Sequence, residues 1–285
     1  MNGKYIVKVS SNPHATTHTL LTGDCVEKVD DIKEKVSLII TDPPYNRKLD
    51  YGPTFKDSMK KREYFDYLNR RIAKSVEVLK ENGSIYIISY PEIAARLLPF
   101  LEDELKLTFR RWLTWHYPTN LGHSKKNFTR SQRTILFLTK SKSNDYIFNR
   151  ENLIQHYKNP EVKKVRARIK NGSKGRTSYD LLRFLDLIEL QKGMIDVLDF
   201  NLLKNVSKDR MRNICPEVKK QHPCQLPLDL LKLLIKVSSN EGDTVFDPFA
   251  GTFTTSKAAS DVGRNSIGIE LNEEFVKMGR KRLVQ

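Results

Sequence analysis

This 285-residue chain has few cysteines, namely Cys25, Cys215 and Cys224. Their spacing indicates no pairing and contains no Cys-x-x-Cys motif, which argues against structural zinc and for a reducing cytoplasm. The six histidines are scattered along the sequence. We therefore predict no metal site.

A long apolar run is also missing. No stretch approaches the roughly 18 residues of a membrane span, and residues 1–5 lack the apolar centre of a secretion signal. There is no internal repeat and no low-complexity tract. The length suits one large α/β domain with an inserted subdomain better than two independent domains. These features predict a cytoplasmic protein without membrane contact.

Acidic residues are scarce beside basic ones, since 34 Asp and Glu stand against 50 Lys and Arg, for a net charge of +16. Residues 150–176 hold nine basic and two acidic residues, and residues 123–142 hold six basic residues and no acid. This balance indicates a polyanionic partner. The alternative is a generally basic protein whose charged face meets only solvent.

The most informative motif is Asp42-Pro-Pro-Tyr45, which directly follows the branched, apolar residues 36–40. That run predicts a buried parallel strand, so the motif lies at a strand's carboxyl end, where open α/β sheets bind ligands. A carboxylate, a carbonyl fixed by two prolines and an aromatic ring suit an exocyclic amino group and the ring that bears it. The alternative is an Asp-Pro turn that only closes a strand.

A second motif, residues 243–255, predicts a strand, a tight turn at Gly251 and a helix that begins at Thr254 or Thr255. The next predicted strand, residues 265–270, ends in a glutamate. The glycine turn allows a ligand to approach the backbone, and the glutamate is placed to accept hydrogen bonds from ribose hydroxyls. This arrangement indicates a nucleoside cofactor, the alternative being an ordinary βαβ unit.

In their order along the chain, the two motifs resemble those of the beta-class amino-methyltransferases of DNA. Three further stretches match that family: Gly23-Asp24 before the catalytic strand, His222-Pro-Cys-Gln-Leu-Pro227 before the glycine turn, and Gly268-Ile-Glu270 at the ribose-binding acid. The resemblance covers about residues 20–140 and 205–285.

The chain departs from the family pattern in three places. Phe253 stands where a second glycine is expected, Cys224 and Leu226 alter the His-Pro stretch, and Arg133-Thr134 replaces a frequent His-Glu pair. We still expect the same fold and the same cofactor. The resemblance does not specify which residues contact the cofactor's carboxylate in this chain.

The resemblance implies a Rossmann-like α/β fold with a mostly parallel sheet, circularly permuted so that the catalytic half comes first. The implied organisation is a catalytic half at residues 18–140, a target-recognition insert at 141–215 and an S-adenosylmethionine-binding half at 216–285. The implied catalytic residues are Asp42, Pro43, Pro44 and Tyr45. The implied cofactor-binding residues are Asp24, Cys25, Asp42, Gln225, Asp247, Pro248, Phe249, Ala250, Gly251, Thr252, Thr254, Glu270 and Leu271.

The implied reaction moves a methyl group from S-adenosyl-L-methionine to the exocyclic N6 of adenine in DNA, after the base has left the duplex. An N4-cytosine enzyme is the alternative within the family. An enzyme that acts on RNA or on a nucleotide-like small molecule, or a nucleic-acid binder without activity, is a further alternative.

Double-stranded DNA is the expected partner, and the resemblance adds a restriction endonuclease of the same system, a homodimer and a bacterial or archaeal cytoplasm. The expected DNA contacts lie in the loop 117–132 and in the insert. They are Lys125, Lys126, Arg130, Lys163, Lys164, Arg166 and Arg168.

Apolar spacing predicts the remaining elements. Helices are expected at 57–80, from Pro91 to about 105, at 177–191 and at 228–237. Strands are expected at 5–9, 84–89, 109–116 and 134–139, the last two as antiparallel neighbours. Residues 1–17 are otherwise expected to form an arm.

Overall fold

A computed structural model describes residues 3–10, 15–116, 126–128, 130–157, 159–183, 214–215, 220–221 and 225–284. The strands are β1 Lys4–Val9, β2 Thr16–Thr22, β3 Val36–Thr41, β4 Leu79–Ser89, β5 Thr108–His116, β6 Gln132–Thr139, β7 Ile154–Gln155, β8 Arg176–Thr177, β9 Leu181–Arg183, β10 Ile214–Cys215, β11 Lys220–Gln221, β12 Thr244–Asp247 and β13 Asn265–Glu270. The α-helices are α1 Cys25–Lys28, α2 Lys61–Val76, α3 Pro91–Pro99, α4 Lys163–Lys170, α5 Leu228–Ser238, α6 Thr254–Asp261 and α7 Glu273–Val284. Shorter helical turns are Val29–Asp31, Phe100–Glu104 and Arg150–Leu153.

Nine strands form one sheet in the order β1-β2-β13-β12-β3-β4-β6-β5-β9. Its middle is parallel, from β2 through β13, β12 and β3 to β4. Strand β3 is buried along its whole length, as its branched sequence predicts. The predicted mostly parallel α/β sheet is therefore confirmed.

Helices cover both faces of the sheet, and the two largest hydrophobic cores lie between the helices and the sheet. One core packs α2 and α3 against β3 and β4, with Leu68, Ile72 and Leu97 buried in it. The other packs α5 and α6 on the opposite face, where Leu230 and Ala258 meet Ile40 and Tyr86 among other side chains. No helix in the described ranges is long and apolar enough to cross a membrane.

The expected helix at 57–80 is too long at both ends. Helix α2 begins at Lys61 and ends at Val76. Leu79 belongs to β4, where it pairs with Val36. Spacing alone misplaced Leu79, because an apolar residue at the helical interval also fits the first position of a buried strand.

The helix expected at 177–191 is wrong where the structure describes it. Residues 176–177 form β8, and Leu181–Arg183 forms β9, which pairs in parallel with Thr114–His116 of β5 at the edge of the sheet. Leu182 is buried in the second core. The remainder of that predicted helix lies outside the described residues.

The amino-terminal segment is more ordered than an arm. The expected strand at 5–9 is present as β1, and the sequence prediction missed β2, which pairs with β1 on one side and with β13 on the other. Inside this junction His18 is buried, and its ring nitrogens lie 2.8 Å from Ser266 Oγ and 2.9 Å from Thr16 Oγ1. Burial lowers the pKa of His18 to about 4, so the ring is neutral and serves the structure.

Phe253, the residue in place of the expected second glycine, keeps the backbone shape that a glycine would have. Its φ is 60°, in the left-handed region, and its side chain is fully buried. Two glycines make room for the ring: a Cβ on Gly268 would lie 2.5 Å from a Phe253 ring carbon, and one on Gly279 would lie 2.3 Å from another. The departure is thus compensated by packing within the chain.

Replacing Gly279 by alanine tests this compensation. In the wild-type background the new methyl group collides with Phe253, and we expect a loss of about 1–3 kcal/mol in unfolding free energy. In a Phe253→Gly background no side-chain atom is left at position 253 to collide with the new methyl group, and the same change in mid-helix should raise stability by up to about 1 kcal/mol. Denaturant unfolding of the four proteins gives the comparison. An equal cost in both backgrounds would contradict the packing described.

Candidate active site

Three carboxylates from distant parts of the sequence meet at one edge of the sheet. Asp42 follows β3, Asp247 ends β12 and Glu270 ends β13, and these three strands are parallel neighbours. Because parallel strands present their carboxyl ends at the same edge, the two sequence motifs are brought together there.

A pocket lies at this edge, and most of the expected cofactor-binding residues line it. The expected residues that line it are Cys25, Asp42, Asp247, Pro248, Phe249, Ala250, Gly251, Thr252, Thr254, Glu270 and Leu271. Gly251 has a φ of 52°, which confirms the tight turn, and α6 begins at Thr254 as expected.

Glu270 and Asp247 are buried acids that accept backbone hydrogen bonds. Glu270 accepts from the N–H of Gly251 at 2.9 Å and from that of Asn272 at 2.8 Å. Asp247 accepts from Phe249 N–H at 3.0 Å and from Thr255 Oγ1 at 2.6 Å. Burial nevertheless raises the pKa of each carboxyl group to about 7, and the nearby Asp42 charge adds to the rise at Asp247.

Asp24 and Gln225, also expected to bind the cofactor, are not among the described residues that line the pocket. The Asp24 carboxylate caps α1 through Val26 N–H at 2.9 Å and forms an ion pair with Arg71. The neighbours of both residues do line the pocket, since Gly23, Cys25 and Leu226 are in its wall. Burial raises the pKa of the Cys25 thiol to about 12, so this thiol is a packing group and not a nucleophile.

The sequence prediction missed the wall formed by the loop after the catalytic motif and by α2. The missed lining residues are Tyr51, Thr54, Phe55, Tyr67 and Arg71 in this wall, and Leu226, Thr255 and Ile269 elsewhere in the pocket. The Arg71 guanidinium lies 3.6 Å from the centroid of the Tyr67 ring. The aromatic residues of the 51–67 stretch were a usable signal, but only the folded loop shows that they face the pocket.

Asp57 holds this loop in place. Its buried carboxylate accepts from the backbone N–H groups of Asn46, Arg47 and Leu49 at 2.7–3.1 Å. The sequence pattern predicted Asp57 at the start of a helix, whereas it lies before α2 and organises the segment that follows Tyr45.

The catalytic motif is held by its neighbours. Tyr64 donates a hydrogen bond to the Pro44 carbonyl at 2.8 Å, and Tyr45 donates to the Asp42 carboxylate. The ring of Tyr45 is buried and lies 4.6 Å from the ring of Tyr90. Pro44 and Asp42 line the pocket, while Pro43 and Tyr45 are not among the residues of its wall.

The expected DNA-binding residues are only partly described. Lys163, Lys164, Arg166 and Arg168 are all exposed on α4, which has no buried residue. Lys126 is exposed, whereas Lys125 lies outside the described residues. Arg130 is engaged within the protein, because it forms an ion pair with Glu92 at 2.8 Å and stacks on Tyr90.

The parallel sheet, the glycine turn and the acid at the end of the next strand are typical of the class of proteins that bind a nucleoside cofactor. Comparison with known proteins gives the family. A family model described as DNA methylase matches residues 36–281. The chain belongs to this DNA methylase family.

Relatives and solved structures agree with this assignment. The chain is 34% identical over 271 residues to the DNA adenine methyltransferase YhdJ of Escherichia coli, covering 93% of this chain and 82% of that protein. It is 31% identical over 256 residues to the type II methyltransferase M1.MboII of Moraxella bovis, covering 89% and 91%. The M1.HpyAVI–SAM complex matches with a TM-score of 0.62 at 21% identity, covering 93% of this chain and 98% of that chain. The cytosine-N4-specific PvuII methyltransferase matches with a TM-score of 0.64 at 17% identity, covering 94% and 86%.

The protein is thus an S-adenosylmethionine-dependent DNA methyltransferase, and its pocket suits this cofactor. The side chains of Asp42, Asp247 and Glu270 offer acceptors to a ligand that carries hydroxyl donors and positive charge. The surrounding rings of Tyr51, Phe55, Tyr67 and Phe249 offer flat surfaces to the adenine.

The raised pKa values predict that cofactor binding depends on pH. Both carboxyl groups are half-protonated near pH 7 in the unliganded protein, and a cationic ligand favours their ionised forms. Affinity should therefore fall by about tenfold for each required carboxylate between about pH 7 and pH 5.5, and binding near pH 7 should release protons. In the unliganded protein these two carboxyl groups have the opposite effect on folding stability. Their protonated forms stabilise the folded state at low pH, and this stabilisation is lost as the pH rises through about 7.

Isothermal titration in buffers of different ionisation enthalpy measures both quantities. The chosen range keeps the charge of the cofactor's own amino group nearly constant. Glu270→Gln is the matched control, since it should remove its share of the proton release. A pH-independent affinity without proton release would show that these acids do not meet the cofactor.

Proposed function

We propose that this enzyme methylates the exocyclic N6 of adenine in duplex DNA at a specific sequence. The observation that carries the proposal is the position of Asp42, whose carboxylate lies in the wall of the cofactor pocket and directly beside Tyr45. A base held at this carboxylate would present its amino group to the cofactor.

In the proposed mechanism, the residues of the Asp42-Pro-Pro-Tyr45 motif activate the target amine. An aromatic amine is a poor nucleophile because its lone pair is delocalised into the ring. The Asp42 carboxylate and the Pro43 carbonyl accept hydrogen bonds from its two N–H groups and so favour a tetrahedral nitrogen with an available lone pair. S-adenosylmethionine, when bound, supplies an electrophilic methyl group on a positively charged sulfur. The chain then contributes positioning and electrostatic stabilisation, without a covalent protein intermediate.

Base flipping brings the adenine to this edge at a cost of a few kcal/mol. Tyr45 stacks on the flipped ring, a contact worth roughly 1–3 kcal/mol in single-strand binders. In the unliganded enzyme Tyr45 donates to Asp42 and lies against Tyr90, so binding of the base must displace its hydroxyl from the carboxylate.

Adenine is favoured over cytosine by two observations. An acid stands at position 42, where cytosine-N4 enzymes of this family often have serine. The relative YhdJ, at 34% identity over most of this chain, is named a DNA adenine methyltransferase. Cytosine N4 stays the second candidate, because the solved PvuII enzyme shares the fold and is cytosine-specific.

DNA recognition is assigned to the insert at 141–215 and to the loop 117–132. The proposed catalytic half, 18–140, and cofactor half, 216–285, both supply central strands, and the insert adds β9 at the edge of the sheet. The exposed basic helix α4 suits phosphate contacts, which position an enzyme without reading sequence. Polar side chains nearby would then reach base edges.

The cellular setting follows from the relatives. M1.MboII and M.HpaI are named type II methyltransferases, so a restriction endonuclease of the same specificity is the proposed partner system. These relatives are bacterial proteins, and we place this enzyme in a bacterial or archaeal cytoplasm. A homodimer is part of the proposal as well.

The identity of the methylated base tests the proposal. DNA methylated by the purified enzyme is digested to nucleosides and analysed by mass spectrometry, and N6-methyladenine is expected. N4-methylcytosine as the sole product would overturn the choice of base, and methylation of RNA alone would overturn the choice of polymer.

Asp42→Ala serves as the control for this assay. It should abolish labelled-methyl transfer while S-adenosylmethionine affinity stays within about tenfold, because losing a transition-state acceptor costs rate first. Normal turnover of the variant would remove Asp42 from the mechanism.

Neutralising α4 tests the DNA surface. The variant carries glutamine in place of Lys163, Lys164, Arg166 and Arg168. The slope of log affinity against log salt should flatten by about 0.9 for each phosphate of duplex DNA that the variant no longer neutralises.

Four exposed basic residues at the opposite edge of the sheet provide the matched control, with the same change in net charge. They are Lys4, Lys8, Arg280 and Lys281. A salt slope that falls equally in both variants would show that α4 acts only through net charge.

A further inference from the structure

Arg133, which departs from the family pattern, lies against the catalytic carboxylate. It is the second residue of β6, paired with Trp115 of β5. Its Nη1 atom lies 3.7 Å from Asp42 Oδ2, and the two side chains are only 16% and 10% exposed. An ion pair this well shielded from water is stronger than one on the surface.

Three aromatic rings surround the Arg133 guanidinium. Its central carbon lies 5.0 Å from the ring centroid of Tyr45, 5.6 Å from that of Trp115 and 5.8 Å from that of Tyr90. Each distance is within the range of a cation–π contact. The rings restrict the guanidinium and exclude water from one side of the ion pair.

A cation beside Asp42 is favourable because a second acid lies close to it. Asp247, on the neighbouring strand β12, repels it electrostatically. Burial raises the pKa of the Tyr64 hydroxyl on α2, and the nearby charges of Asp57 and Asp42 add to the rise. Tyr45 donates to the other carboxylate oxygen, so Asp42 Oδ1 and Oδ2 have different partners.

We propose that Arg133 is a positioning residue that keeps the Asp42 carboxylate ionised and holds its Oδ2 side, leaving Oδ1 to accept an N–H of the target amine. The Tyr45 hydroxyl occupies Oδ1 until the base replaces it. This inference rests on the proposed function for its catalytic meaning, whereas the coupling between Arg133 and Asp42 is a property of the unliganded protein.

The coupling is measured first without cofactor or DNA. In protein with ¹³C-labelled aspartate carboxyl groups, NMR follows the titration of Asp42, assigned by its disappearance in Asp42→Asn. Arg133→Gln should move the titration midpoint of Asp42 upward by about one pH unit or more, because a neighbouring arginine lowers the pKa of an acid by about 1–3. Arg133→Lys, which keeps the charge, should give a smaller shift. Arg130→Gln is the control, since Arg130 stacks on the same Tyr90 ring but pairs with Glu92.

Methyl transfer is measured second, at saturating cofactor and DNA. Arg133→Gln should lower kcat at least tenfold at its pH optimum, because the Oδ2 side of Asp42 is no longer held, and should move the acid limb of the kcat profile upward together with the Asp42 midpoint. Arg133→Lys should recover part of kcat. An unchanged Asp42 midpoint in Arg133→Gln would overturn the proposal, as would a shifted midpoint with an unchanged kcat profile. A shifted midpoint in an enzyme whose wild type methylates no DNA would instead overturn the proposed function and leave the ion pair established.

Discussion

The parallel pairing of β3 with β12 is the contact on which the active site depends. It joins residues 38–39 to residues 245–246, so that two strands more than 200 positions apart in sequence become neighbours. Their carboxyl ends place Asp42 and Asp247 side by side. The glycine turn and the Asp42-Pro-Pro-Tyr45 motif lie on either side of this pair of strands.

Bringing acids together in a buried pocket has an electrostatic consequence. Burial raises the pKa of Asp247 and Glu270 to about 7, and the charge on Asp42 adds to the effect at Asp247. Such a pocket favours a cationic ligand, because a positive charge stabilises the ionised forms of its buried carboxyl groups. The same crowding explains why a guanidinium, that of Arg133, stands on the outer side of Asp42.

Packing also accounts for the departure at the glycine turn. A phenylalanine at a left-handed position is costly unless its surroundings hold it there. Here Phe253 fills a space bounded by Gly268 and Gly279, and fully buried Arg282 donates to Thr252 and Thr254 on either side of it. The turn thus keeps its shape although its sequence differs from the family pattern.

Local signals were sufficient for much of this molecule. The apolar run 36–40, the glycine turn and the helix 228–237 were predicted from sequence because each carries its own periodicity or turn chemistry, and the structure confirms them. The helix predicted at 177–191 is wrong over residues 181–183, because Leu181 and Leu182 fit a strand as well as a helix, and only pairing with β5 selected the strand.

By itself, the sequence determined many of the elements, the glycine turn and the position of Asp42 at the end of a buried strand, since these depend on residues close together in the chain. Only the tertiary structure decided which other side chains join them. Arg71 reaches the pocket from α2 and Arg133 reaches Asp42 from β6, and no local pattern predicts either approach. The physical reason is that sheet order brings together residues of distant segments, and this order follows from burial of the whole core.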